Sequence, residues 1–175
     1  MLKNIKTKND EFTEPSMLAK ELARSLSVDK PLVIGIDGST GSGKTILSYC
    51  LGCELLTNVI NLDIFLNTKQ GSFIDQIRYD DLSGIIKDKI SSGKSIIVEG
   101  ICLLKVLSKI TVKQDILIYV KLISRNTGIW CEESDLSGNG EIDCCLEARL
   151  RNEIIEYHNE FNPLNAANYL FLRTE

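Results

Sequence analysis

No window of the chain approaches the run of about eighteen apolar residues that a membrane span needs, and the start, MLKNIKTKNDEFTEP, lacks the apolar core of a secretory signal. The expectation is a cytoplasmic protein with no membrane partner. Positive charge is not in excess either: 20 Lys and Arg face 24 Asp and Glu, a formal net charge of -4. Nothing in that balance attracts a nucleic-acid backbone, and a small anionic ligand would need local help. Histidine is nearly missing, with His158 the only one, and it is given no catalytic duty. The Cys50-x-x-Cys53 pair therefore lacks the second half of a zinc site, because no other cysteine pair has that spacing. The six cysteines (Cys50, Cys53, Cys102, Cys131, Cys144, Cys145) read as reduced thiols, since a chain of 175 residues, 43% of them apolar, can bury a core without disulfides. Cys50 and Cys53, three apart, are expected to share a core-packed helix face.

What is present is an alternation. Apolar runs of strand length recur at 31–37 (PLVIGID), 58–62 (NVINL), 95–100 (SIIVEG), 115–120 (DILIYV) and 168–172 (NYLFL). Their unbroken apolarity suggests strands covered on both faces. Between them, KTILSYCLGCELL, DDLSGIIKDKISSG, CLLKVLSK and CLEARLRNEIIEYHNEF carry apolar residues three and four apart, as amphipathic helices do. The pattern predicts one α/β domain with a five-stranded parallel sheet flanked by helices. A first helix is expected over about 14–26, capped by Thr13 with Pro15 in its first turn, and Asp80 or Asp81 is placed to cap the helix that Gly93 closes. Residues 124–143 mix glycine, serine and acids without period and read as a long, lid-like loop.

The first strand runs into GSTGSGKT, which satisfies G-x-x-x-x-G-K-T at a strand end and a helix start, where a phosphate-binding loop must stand. Glycines at 38, 41 and 43 permit backbone angles closed to other residues, so successive N–H groups can converge on an anion at a helix N-terminus. A chance match in a chain of this length arises on the order of one time in a hundred. Gly38, Ser39, Thr40, Gly41, Ser42, Gly43, Lys44, Thr45 and Ile46 are accordingly expected to hold ATP. Lys44 would meet the terminal phosphates and the Thr45 hydroxyl a magnesium ion.

Such loops serve switches, transport motors and kinases. The guanine-reading N-K-x-D of GTPase switches is absent, and the chain is short for a transporter motor, which leaves kinases. Asp63, at the end of the second strand, and Glu99, at the end of the third, stand at the carboxyl edge where ligands of open α/β sheets bind. Asp63 can accept the proton of an attacking hydroxyl, or merely cap a turn; Glu99 can support magnesium, or pair with Lys44.

The order GSTGSGKT, then LDIFL with its D-x-F, then IRYDDLSGIIKDKISSGKSIIVEGICLL resembles the uridine kinase group of P-loop kinases, whose relatives include pantothenate kinase, phosphoribulokinase and nicotinamide riboside kinase. The likeness runs from about 31 to 122, and EIIEYHNEFNPLNAANYLF is similar to the group's closing helix and strand. The resemblance implies a P-loop NTPase fold and transfer of the ATP γ-phosphoryl to a small-molecule hydroxyl, most readily a nucleoside's. It assigns Lys44 and Thr45 to ATP and magnesium, Asp63 to the base and Glu99 to the metal, with Asp75, Asp80 or Asp81 holding ribose hydroxyls. Two departures stand out. Only SGK joins the YDDL helix to the third strand, where uridine kinases insert a hairpin over the base, and the lid region offers Arg125 alone, so Arg149 and Arg151 are the other candidates to stabilise the transferring group. Trp130 either stacks on a ligand ring or anchors its loop, the latter being favoured. A nucleotide-binding regulatory module and a simple NTP hydrolase are the alternative readings, and self-association is left open.

Overall fold

Strand β2 (Val33–Gly38) is buried along its whole length, and so is β4 (Ile96–Glu99), because each is covered on both faces by helices. The computed structural model describes residues 10–26, 30–67, 72–131 and 146–175. Before β2 come β1 (Asp10–Phe12) and helix α1 (Pro15–Ser25). After it follow α2 (Lys44–Glu54), β3 (Asn58–Asn61), a one-turn 3-10 helix (Leu62–Phe65), α3 (Phe73–Gln76) and α4 (Tyr79–Ser91). Beyond β4 lie α5 (Leu103–Lys109), β5 (Ile116–Ile123), α6 (Leu146–Phe161), α7 (Pro163–Ala166) and β6 (Tyr169–Thr174).

All neighbours in the sheet are parallel, in the order β1-β6-β5-β2-β4-β3. The apolar runs still alternate by pleat. Val33, Ile96, Val98, Leu117 and Tyr119 join one core with Leu82, Ile86, Val106 and Tyr157, while Ile34, Ile36, Ile97, Ile116 and Ile118 join a second with Leu18, Leu22, Leu47 and Leu51. Each such fully buried branched side chain contributes roughly 1.5–3 kcal/mol. Chain direction across the sheet reverses at β2, with β3 and β4 on one side and β5 and β6 on the other, so the carboxyl end of β2 is the switch point where α/β sheets open a crevice.

The sheet has six strands rather than the five expected. The added edge strand β1 is three residues, DEF, too short and too charged to give a periodic signal, and it is held by pairing Asp10 through Phe12 with Tyr169 through Phe171. Strand β3 ends at Asn61, and the following residues wind into the 3-10 turn, whose start is capped by the Asn61 side chain accepting from the Asp63 N–H at 2.7 Å. Thr13 does not cap α1, whose N-cap is Glu14, and the N-cap of α4 is Arg78, leaving Asp80 and Asp81 in its first turn. Cys50 is half-buried and Cys53 exposed, so α2 does not pack that pair into the core. Of the expected loop 124–143, residues 132–143 lie outside the described residues. Residues 124–131 fold back on β5, where Trp130 meets Tyr119 edge-on at 6.1 Å and carries Lys121 over its ring. No helix among the described residues is long and apolar enough to cross a membrane.

Candidate active site

The loop after β2 is held by close approaches that only glycine allows. Gly38 has φ 147°, and a side chain there would stand 2.6 Å from the Val120 carbonyl. Gly43, the N-cap of α2, has φ 99°, and its missing Cβ leaves room for Arg173, whose Nη1 donates to the Gly41 carbonyl at 3.3 Å. Lys44 is buried and curls back over the loop, its Nζ donating to the Ser39 carbonyl at 2.6 Å. The hydroxyls of Ser39 and Ser42 are buried and have no hydrogen-bond partner among the described residues. Ile46 stands exposed one position past Thr45.

Register brings the acids to the same edge. Ile36 and Asn61 both pair with Glu99, so the last residues of β3 and β4 lie level with Ile36 of β2, and Asp63 follows two residues beyond Asn61. The Thr45 hydroxyl donates to Glu99 Oε1 at 2.9 Å. Burial pushes the Glu99 carboxyl up from its ordinary range, the Thr45 hydroxyl and the Lys44 charge oppose this, and the Asp63 charge adds to it. These residues open on one cleft of about 340 Å³, whose rim on the far side is formed by Leu66, Ser72, Phe73, Gln76, Ile101 and Leu150. A lysine, a hydroxyl and two carboxylates face a partly apolar recess, which is what aligning an anionic donor with a small acceptor requires.

The cleft does not gather every residue expected of it. Asp75 is exposed and lies 3.9 Å from Lys109, in a second cavity of about 480 Å³ that Arg149 also lines. It misses the cleft because α3 turns Phe73 and Ile74 inward and Asp75 outward. Asp80 is exposed on α4, and Asp81 pairs with Arg78 at 2.8 Å. Arg151 is half-buried on α6 and lines neither cavity. Arg125 donates to the Glu175 carbonyl.

Three other residues touch the site's framework. Asp37 is completely buried at the base of the loop, with Oδ1 accepting from the Gly38 N–H at 2.7 Å and Oδ2 from the Tyr157 hydroxyl. Burial pushes its pKa up to about 6, against the pull of Tyr157, Gly38 and Lys44. Glu153, on α6, accepts from Ser72 Oγ and the Phe73 N–H, both at 2.7 Å, and from the Ile74 N–H at 3.0 Å. The one signal available beforehand was an acid, Asp37, inside an otherwise apolar strand; buried acids need partners.

No family model and no curated protein matches the sequence. Solved structures do match. One, described as a possible uridine kinase from Bacillus stearothermophilus, superposes with a TM-score of 0.57 over 90% of this chain and 96% of that one, at 17% identity. The fold is that of P-loop kinases. A second, described as a fructose transport system kinase from a Silicibacter species, has a TM-score of 0.50, covers 94% of this chain and 100% of that one, and is 15% identical. At such identities the likeness carries the architecture, and the chemistry rests on the residues in the cleft.

Proposed function

We propose that the chain is an ATP-dependent phosphotransferase that delivers the γ-phosphoryl group to a hydroxyl of a small metabolite, with a nucleoside as the first acceptor to test. The observation that carries this reading is the meeting of Lys44, Thr45, Glu99 and Asp63 on one cleft, whose lining also includes the apolar Leu66, Phe73, Ile101 and Leu150. Residues 38–46 would cradle the donor phosphates, with the two unpartnered loop hydroxyls available to phosphate oxygens.

Thr45 and Glu99 fit a magnesium ion: a hydroxyl and a carboxylate, both hard oxygen donors, lie 2.9 Å apart at the mouth of the loop. Among the described residues no group of three or more His, Cys, Asp or Glu forms a cage, which suits an ion that takes its remaining ligands from phosphates and water. When bound, magnesium neutralises charge on the phosphate oxygens. Lys44 adds a point charge against those oxygens. Asp63, exposed to the cleft, orients the acceptor hydroxyl and takes its proton as the oxygen attacks phosphorus. Arg149 and Arg151 adjoin Leu150, a cleft residue, in sequence, but neither lines the cleft, and the proposal assigns them no contact with the transferring group. For Asp75 and Asp80 the proposal assigns no ribose contact, given their places outside the cleft. That vacancy is what favours a second reading, a nucleotide-binding module or NTP hydrolase with no small-molecule acceptor.

The test is acceptor-dependent ADP release across nucleosides, vitamins and sugar alcohols, with wild type and Asp63→Asn. Loss of general-base catalysis should lower transfer by about 10²–10⁴-fold with ATP affinity unchanged. Turnover of ATP that no acceptor accelerates would overturn the kinase reading in favour of hydrolysis.

A further inference from the structure

We infer that Glu153 is a positioning residue for the phosphoryl acceptor: it holds the chain at Ser72–Ile74 and thereby sets the wall that Phe73 and Gln76 present to the cleft. This rests on the kinase reading. Helix α3 is a single turn of four residues, too short to be stable by itself, and its first N–H groups have no partners within the helix. The Ser72 hydroxyl accepts from the Asp75 N–H at 3.3 Å, and Glu153 takes the other two, at Phe73 and Ile74, as well as the Ser72 hydroxyl proton. Both carboxylate oxygens are engaged, so the group holds three donors at once, a task for a bidentate acceptor.

Its place on α6 gives the contact its meaning. Leu150, Glu153 and Tyr157, at i, i+3 and i+7, lie along one face of the helix. Leu150 lines the cleft, Glu153 fixes the acceptor wall, and Tyr157 binds Asp37 under the phosphate loop. One rigid element thus sets the acceptor wall relative to the donor loop. A misplacement of about 1 Å between reacting groups lowers rate on the order of 10²-fold. Glu153 itself is absent from the cleft lining, so it acts through Phe73 and Gln76 rather than on substrate.

The experiment compares wild type, Glu153→Ala and Glu153→Gln in steady-state kinetics for both substrates, with nucleotide binding and segment-resolved hydrogen exchange measured in the same proteins. Glu153→Ala should lower kcat/KM for the acceptor about 10–100-fold with ATP affinity within about 2-fold, and speed exchange over 72–78 but not over 38–46. Glu153→Gln, which retains one acceptor oxygen, should lie between the two. Unchanged exchange over 72–78 overturns the inference regardless of activity. So does faster exchange with unaltered acceptor kinetics, or an equal loss of ATP and acceptor terms, and in those cases the kinase reading stands. A wild type that phosphorylates no acceptor refutes the kinase reading and takes the acceptor role with it, while the exchange data still report the hold on Ser72–Ile74.

Discussion

Replacing Tyr157 with phenylalanine removes one oxygen from beneath the phosphate loop, and the stability lost should depend on pH. Tyr157 and Asp37 are both completely buried. The Tyr157 hydroxyl donates to Asp37 and accepts from the Leu104 N–H at 3.2 Å. Burial, and then the Asp37 charge, push the phenol far above its ordinary pKa, so it remains a donor at every accessible pH. A hydrogen bond to a buried carboxylate is worth about 1.5–3 kcal/mol, and an orphaned Leu104 N–H costs a further 1–3 kcal/mol or so. The total near pH 8 is therefore about 3–5 kcal/mol. At about 2–4 °C per kcal/mol for a chain of this size, Tm should fall by about 6–20 °C.

The sign of the pH effect follows from the carboxyl. Its folded pKa, about 6, lies above the ordinary value of 3.8, so the folded state holds the proton more tightly than the unfolded state does. Stability from this group is complete below the ordinary value and is lost as pH rises to about 6, a difference of about 3 kcal/mol in wild type. Phenylalanine removes a bond that favours the charged form, which raises Asp37 further and extends the loss to higher pH. At pH 4.5 the acid is mostly neutral and only a neutral bond is forfeited. The Tm penalty there should be about 3–6 °C smaller than at pH 8. Thermal unfolding of both proteins at the two pH values is the assay. Equal penalties at pH 4.5 and pH 8 would refute an ionisable Asp37 as the partner, and no penalty at all would refute the buried contact.

Gly43→Ala places a side chain at φ 99°, a backbone conformation that L residues rarely adopt, and pushes aside the Arg173 side chain 2.6 Å away; the strain of about 1–3 kcal/mol falls on the loop, and nucleotide affinity by calorimetry should drop by about 10-fold. Gly100→Ala meets Leu62 at Cδ1, Cβ and Cγ, all between 2.7 and 2.9 Å, and Leu62 precedes Asp63 in the 3-10 turn. Overpacking of about 1–3 kcal/mol should be accompanied by slowed transfer with ATP affinity retained, measured by stopped assays and nucleotide titration. Glu99→Gln removes a charge but keeps an acceptor for the Thr45 hydroxyl. It should weaken nucleotide binding in magnesium by about 10-fold while leaving binding in EDTA unchanged, and equal loss in both conditions would remove Glu99 from the metal.

The glycine-rich loop and the strand-helix alternation were legible along the chain because both are short-range. A pleat or a helix turn imposes its period on neighbours two to four residues apart, and the loop's glycines, lysine and threonine occupy eight consecutive positions. Burial of β2 and β4 followed from their unbroken apolarity for the same reason. Edge strand β1 was invisible because its three residues have no pattern of their own and exist as a strand only through β6.

Asp75 shows why candidate acids are harder to judge. A helical turn sends adjacent residues in different directions, and one step along α3 separates the buried Ile74 from an exposed Asp75 beside Lys109. The amino-acid sequence by itself determined that a glycine-rich loop of G-x-x-x-x-G-K-T pattern follows a buried strand, and that acids stand at or just past the ends of the strands beside it. Tertiary structure alone decided which acids share the cleft and what holds them. Thr45 meets Glu99 across 54 positions, Phe73 meets Glu153 across 80, and Asp37 meets Tyr157 across 120. Contacts of that span depend on strand order and on the seating of α6 against the sheet, neither of which is written in any local period.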